Sequence, residues 1–274
     1  YLRDLGSLGF DEDQMESFAR MLRSPRGMIL VTGPVAVGKT TTLYSSLSWI
    51  MEAGRRIISL EDPVEYHLEG VAQSQINPRT GYSFARALRS VLRMDPDVIM
   101  VGEIRDVETA EMALRASLTG MLVLSTLHTD RAAGAIPRLL DMEVEPYLLT
   151  SSLLGVLSQA LVRKICENCR QEQRVDEPKL ESLGLEPELA AEKWWQGEGC
   201  HRCGGTGYYA RTGVFELLPV DEDIADRIKD RADAGRISRL ARRNGMRTLQ
   251  EHGLEKARRG ITTLEEVDRV TRGR

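Results

Sequence analysis

The apolar residues of this chain fall into short blocks separated by stretches of helical periodicity. Met28-Ile29-Leu30-Val31, Ile57-Ile58-Ser59-Leu60, Val98-Ile99-Met100-Val101 and Met121-Leu122-Val123-Leu124-Ser125-Thr126 read as buried strands. Helical spacing is predicted over Thr41 to Met51, Ser83 to Met94 and Val107 to Thr119, with a turn at Asn77-Pro78-Arg79-Thr80-Gly81. Leu2 to Leu22 reads as a linker and a short amphipathic helix with Asp11 as its N-cap. Apolar strands alternating with helices imply an α/β fold, with a parallel sheet covered on both faces. Pro146 to Val162 is the most apolar stretch, but it holds Thr150, Ser151, Ser152, Ser158 and Gln159. It therefore reads as a buried helix rather than a membrane span.

After Ala160 the pattern changes to a cysteine-bounded insert and then to short charged helices. The expected organisation is a linker or remnant of a preceding domain over residues 1–25, an α/β core over 26–160, a four-cysteine module over 161–212 and a C-terminal helical subdomain over 213–274. The start at Tyr1 suggests a fragment, and no signal peptide opens it. Net charge is −4, unevenly spread: residues 225–274 carry +6 and the rest −10. The basic tail reads as solvated helix faces or as a contact surface for an acidic partner, a membrane or nucleic acid.

Gly33-Pro34-Val35-Ala36-Val37-Gly38-Lys39-Thr40 fits G-x-x-x-x-G-K-[ST] and lies between a predicted strand and a predicted helix. A helix N-terminus offers unpaired N–H groups and a partial positive charge, and glycines let the preceding backbone curl into an anion nest. These eight residues and Thr41 are the expected binding segment for a nucleoside triphosphate. Lys39 would reach the β- and γ-phosphates and Thr40 would hold Mg²⁺. Ala36 and Val37 stand where many such loops carry Gly and Ser. Their bulk would stiffen the nest without removing a backbone donor.

Glu103, immediately past a predicted strand, is the expected catalytic carboxylate, orienting the attacking water. Gly102 occupies the place where many such enzymes have a metal-binding Asp, so Glu61, Asp62 and Glu65 become candidates to complete the metal shell. His128, after the next strand, is a candidate to sense the γ-phosphate or relay closure to the sheet. One of Arg89, Arg93 or Arg105 is expected to neutralise charge on the transferred phosphoryl group. All four cysteines fall in Cys166-x-x-Cys169 and Cys200-x-x-Cys203, the spacing of two zinc knuckles. Four thiolates close the shell, so the Zn²⁺ site is expected to be structural and His201 a bystander.

Together these segments resemble the assembly ATPases of bacterial type II secretion and type IV pili. The resemblance is carried by Gly33-Pro34…Gly38-Lys39-Thr40-Thr41-Thr42-Leu43-Tyr44, by Glu61-Asp62-Pro63-Val64-Glu65-Tyr66, by Asp95-Pro96-Asp97…Gly102-Glu103-Ile104-Arg105-Asp106 and by Ser125-Thr126-Leu127-His128-Thr129. The two CxxC pairs match the metal module of the secretion and pilus-extension branches. The resemblance implies a RecA-like core that hydrolyses ATP with Mg²⁺, a homo-hexameric ring and a cytoplasmic location at the inner membrane. It also implies a platform-protein partner there; no nucleic-acid partner is expected. A RecA-like nucleic-acid translocase and a nucleotide-gated scaffold with little hydrolysis are the alternatives. Overall acidity and few aromatics weigh against the first, and Ala36-Val37 keeps the second open.

Overall fold

The computed structural model describes residues 3–51 and 54–271. Tyr1 and Leu2 of the expected linker, and Arg272 and Arg274 of the basic tail, lie outside the described residues. The chain forms two compact units. The first comprises Tyr1–Gln159 and Glu216–Met246, the second Ala160–Phe215 and Arg247–Arg274.

The first unit opens with α1 (Glu12–Leu22), whose N-cap Asp11 and Gln14 form a reciprocal capping box. β1 (Gly27–Thr32), α2 (Lys39–Ile50), β2 (Ile57–Glu61), β3 (Val71–Gln75), α3 (Phe84–Val91), β4 (Val98–Val101), α4 (Val107–Leu118) and β5 (Leu122–Leu127) follow. α5 (Ala135–Asp141), α6 (Pro146–Ser152) and β6 (Leu153–Ile165) complete the run. Strands β1, β2, β4 and β5 are buried at every position, as continuous apolar strands of a sheet covered on both faces must be. With β9 (Tyr208–Pro219), the sheet has the order β3-β2-β4-β5-β1-β6-β9. The β3–β2, β2–β4, β4–β5, β5–β1 and β1–β6 pairs are all parallel. In such a sheet the loops that bind ligands gather at the carboxyl ends of the strands.

The stretch expected as one buried helix, Pro146 to Val162, is instead α6 followed by β6. A long apolar run is compatible with either state, and tertiary pairing decides. The edge of β1 left open by β5 takes β6 as a parallel neighbour, in the register Leu30↔Val156, Val31↔Leu157 and Thr32↔Ser158. Gly155 makes this possible. A Cβ there would lie 2.9 Å from the Leu218 carbonyl oxygen and 2.8 Å from the Met21 sulfur.

The second unit holds β7 (Arg170–Gln173), α7 (Glu177–Ser182) and β8 (Trp194–Gly197), with β7 and β8 paired antiparallel. The C-terminal helices do not form one body. α8 (Glu222–Lys229) and α9 (Ala234–Arg243) fall in the first unit, whereas α10 (Leu249–Arg258) and α11 (Leu264–Thr271) fall in the second. Ile224, Ile228, Ile237 and Ala241 join the core that contains the sheet, whereas Ala257, Leu264 and Val267 pack with Leu180 and Trp194. The buried Glu266 carboxylate of α11 accepts from the Arg163 backbone N–H at 2.8 Å and from the guanidinium groups of Arg163 and Arg269. Burial opposes its ionisation, but these donors win and bring its pKa down to about 2.

Gly155→Ala is expected to lower the stability of the folded chain by about 1–3 kcal/mol, because the backbone carbonyl it meets cannot swing aside. Urea unfolding measures this, and an unchanged midpoint would contradict the packing described for β6.

Candidate active site

β1 ends at Thr32, and the chain turns at once. Gly33 has φ +136°, and a Cβ on it would lie 2.5 Å from the Gln159 carbonyl oxygen, so both conformation and space require glycine. Gly38 sits at φ +87° as the residue before α2, where the chain swings into the helix. Ala36 adopts φ +64°, a left-handed conformation that a side chain disfavours. The departure at Ala36-Val37 thus divides into two effects. Ala36 is exposed and strained, whereas Val37 is buried and packs against Gly33.

Lys39 opens α2, and its ammonium donates to the carbonyl oxygens of Gly33 and Pro34, at 2.7 Å each. Partial burial lowers its pKa, and the negative charge of Glu103 works in the opposite direction. Thr40 follows in the first turn of the helix, half-buried. Its hydroxyl is a hard oxygen donor of the kind Mg²⁺ takes.

Glu103 is set by the end of β4. The Gly102 N–H donates to the Leu60 carbonyl at 2.8 Å, and the Thr126 hydroxyl donates to the Gly102 carbonyl at 2.7 Å. Each neighbouring strand thus holds this corner. The Glu103 side chain, 19% exposed, is ion-paired to Arg105 through one oxygen and lies 3.3 Å from His128 Nε2 through the other. Arg105 also lies 3.5 Å from Asp62. Burial raises the Glu103 pKa, but the Arg105 hydrogen bond and charge, with His128, bring it below the usual carboxylate value. Glu103 is held ionised.

The other expected site residues are distributed differently. Glu61 is 3% exposed, and its carboxylate accepts from the Tyr44 and Ser59 hydroxyls and, at 3.1 Å, from Gln73 Nε2. It ties α2 to β2 and β3. Burial and this bond raise the pKa of the Tyr44 hydroxyl. Glu65 is exposed, and its backbone N–H donates to the Tyr44 hydroxyl at 3.3 Å. Arg89 pairs with Glu108 at 2.7 Å between exposed positions of α3 and α4, and Arg93 is exposed in the turn after α3. Of the three arginines, Arg105 is the one brought to Glu103.

Two framework residues escaped the sequence reading. Glu216 of β9, 1% exposed, accepts from the Ala132 N–H at 2.8 Å and fixes the loop that follows His128. Gln159 of β6 reaches the phosphate-loop segment, donating to the Val37 carbonyl at 2.8 Å. Its sole mark in the sequence is a polar residue within an apolar run.

In the second unit the four cysteine sulfurs lie within 4.8 Å of one another. The Cys166–Cys200 and Cys200–Cys203 pairs are 3.8 Å apart and Cys169–Cys203 3.9 Å. A tetrahedral ion with Zn–S bonds of about 2.3 Å spaces its sulfurs about 3.8 Å apart, so the cluster fits zinc. Burial disfavours the Cys203 thiolate, yet the Cys200 and Gly207 N–H groups that donate to it outweigh burial and bring its pKa down to about 6. His201 is exposed beside the cluster and outside it.

With this geometry in view, comparisons place the molecule. The family model described as type II/IV secretion system protein matches residues 1–269. The chain belongs to this family. It is 50% identical to the type IV pilus assembly ATPase PilB of Thermus thermophilus, over 96% of this chain and 30% of that protein. It is 48% identical to the type II secretion system protein E of Pseudomonas aeruginosa, over 98% of this chain and 53% of that protein. The chain therefore spans about a third to a half of these relatives. Among solved structures, the pilus retraction motor PilT with bound ADP superposes with a TM-score of 0.73 at 30% identity, covering 99% of this chain and 68% of that one. The expected parallel α/β fold is shared with this pilus retraction motor.

Ala36→Gly is expected to raise rather than lower the stability of the nucleotide-free chain, by up to about 1 kcal/mol, because it relieves the left-handed strain. A thermal melt checks this, and a lower midpoint would mean that the Ala36 methyl makes packing contacts that outweigh the strain.

Proposed function

We propose that this chain is the catalytic part of a motor ATPase, converting ATP and water to ADP and phosphate to drive type II protein secretion or type IV pilus assembly. The observation that carries this reading is a glycine-shaped turn after β1 that delivers Lys39 at the start of α2, together with a partly buried Glu103 ion-paired to Arg105 just past β4 of the same parallel sheet. The amides at the start of α2 and the Lys39 ammonium bind the β- and γ-phosphates. As the polyanion enters, Lys39 gives up the Gly33 and Pro34 carbonyls for phosphate oxygens. Thr40 holds Mg²⁺, which neutralises phosphate charge when bound.

Glu103 orients the water that attacks the γ-phosphorus as the bond to the β-γ bridging oxygen breaks. Arg105 and His128 already touch this carboxylate, and either exchanges that contact for the transferred phosphoryl oxygens. Asp62, joined to Arg105, holds that arginine in reserve. Glu61 acts through Tyr44 on the placement of α2 rather than as a ligand of the metal shell.

The motor works as a homo-hexamer in the cytoplasm, at an inner-membrane platform protein. No helix among the described residues is long and apolar enough to cross a membrane. The four cysteines hold a structural Zn²⁺ that closes the two CxxC turns into one module.

Lys39→Ala is expected to weaken nucleotide binding and reduce phosphate release at least about 100-fold, whereas Glu103→Gln keeps binding and loses turnover by about 100- to 1,000-fold. A phosphate-release assay beside a binding titration separates the two, and full turnover in Glu103→Gln would move the catalytic role to another acid. Elemental analysis is expected to find one zinc per chain, and Cys200→Ser to release it and loosen the second unit. A metal-free protein of equal stability would exclude the tetrathiolate site.

A further inference from the structure

Gln159 has no part in the hydrolysis scheme above, yet its side chain is committed to the nucleotide-binding turn. The β1–β6 register pairs Thr32 with Ser158 and so brings Gln159 level with Gly33, just beyond the last residue of β1. There it is 3% exposed. Its Nε2 donates to the Val37 carbonyl at 2.8 Å, and its Oε1 accepts from the Thr42 hydroxyl at 2.7 Å. The amide can sit in only one orientation, because a backbone carbonyl accepts and cannot donate. One side chain thus joins the turn to α2, three residues past Lys39.

The consequence lies in the peptide plane between Val37 and Gly38. In a trans peptide the C=O and N–H point in opposite directions. Holding the Val37 carbonyl toward the buried Gln159 directs the Gly38 N–H away from that side chain. The Val37 side chain reinforces the same setting, since it is 7% exposed and its Cγ2 approaches the position of a Cβ on Gly33 to 3.0 Å. The Gln159 backbone carbonyl occupies the space that a side chain on Gly33 would need. Both the main chain and the side chain of one β6 residue therefore shape the turn.

We propose that Gln159 is a positioning residue for nucleotide binding, its carboxamide clamping the Val37 carbonyl and the Thr42 hydroxyl so that the Gly38 amide is aimed before the triphosphate arrives. The proposal rests on the ATPase reading. It adds a determinant on a strand remote in sequence from the binding segment. Preorganised donors bind an anion without a further ordering cost, so losing the clamp weakens binding more than it slows chemistry.

The test is equilibrium titration of the purified chain with a fluorescent, non-hydrolysable ATP analogue and Mg²⁺, beside KM, kcat and a thermal melt. Gln159→Leu removes both bonds at similar volume. It is expected to raise Kd and KM about tenfold, a change of about 1.4 kcal/mol, with kcat within about threefold of wild type. Gln159→Glu keeps the acceptor for Thr42 but cannot donate to Val37 when ionised, and is expected to bind at least as weakly. Thr42→Val is expected to weaken binding a few-fold, and Gln159→Leu/Thr42→Val to be no worse than Gln159→Leu alone, because the two groups act as one clamp. Wild-type Kd in a folded Gln159→Leu would overturn the proposal, even if its melting temperature fell. Should Gln159→Leu fail to fold, wild-type affinity in Thr42→Val would overturn it instead. A wild-type chain that binds no analogue would sink the ATPase reading and the clamp with it, whereas wild-type binding with indifferent variants sinks the clamp alone.

Discussion

The rest of the structure depends on how the chain turns from β1 into α2. Four phosphate charges cannot be held by one lysine. They need several N–H groups pointing at one place, and a turn that leaves the ordinary dihedral regions can add its own amides to those at the start of a helix. Gly33 at φ +136°, Ala36 at +64° and Gly38 at +87° perform that departure within six residues. Alanine at the middle position shows that the turn is imposed by its surroundings rather than chosen by local preference. The surroundings are the adjacent strand β6, the Val37 side chain and the first turns of α2.

The second half of the site solves a different problem. An acid that orients water must stay ionised although it is partly buried, and burial alone would neutralise it. Arg105 supplies the compensating charge for Glu103, and His128 adds a second contact. The same cation is suited to the charge that develops on phosphate during transfer. In the proposed mechanism this pair has two uses, keeping the carboxylate ionised before nucleotide binds and supplying a cation to the transferred phosphoryl group. The position of Glu103 is guarded from both sides, by Leu60 of β2 and Thr126 of β5.

What could be read from the sequence was local in origin. The glycine-bounded turn after β1, its flanking strand and helix, and the paired cysteines are each defined by residues within a few positions of one another. Each was therefore legible without tertiary information. The four short strands were legible because continuous burial on both faces leaves a continuous apolar record. β6 was not, because an apolar run records burial but not dihedral angle, and pairing with β1 and β9, both distant in sequence, made it a strand. The role of Glu61 was equally hidden. Its neighbours Tyr44 and Gln73 come from other elements, and nothing in the acidic cluster distinguishes a carboxylate saturated by hydroxyls from one open to a metal. The helices after β9 look alike in charge and spacing, yet α8 and α9 join one core and α10 and α11 another, a choice made by Leu218 and Ile224 on one side and Trp194 and Val267 on the other.

The central claim is that the curled turn after β1 is a triphosphate receptor facing Glu103. A crystal structure of this chain with a non-hydrolysable ATP analogue and Mg²⁺ tests it most directly. The account predicts phosphate oxygens on the main-chain amides of Gly38, Lys39 and Thr40, with the Lys39 ammonium swung from the Gly33 and Pro34 carbonyls onto the phosphates. An analogue bound elsewhere, with Lys39 still on those carbonyls, would contradict it.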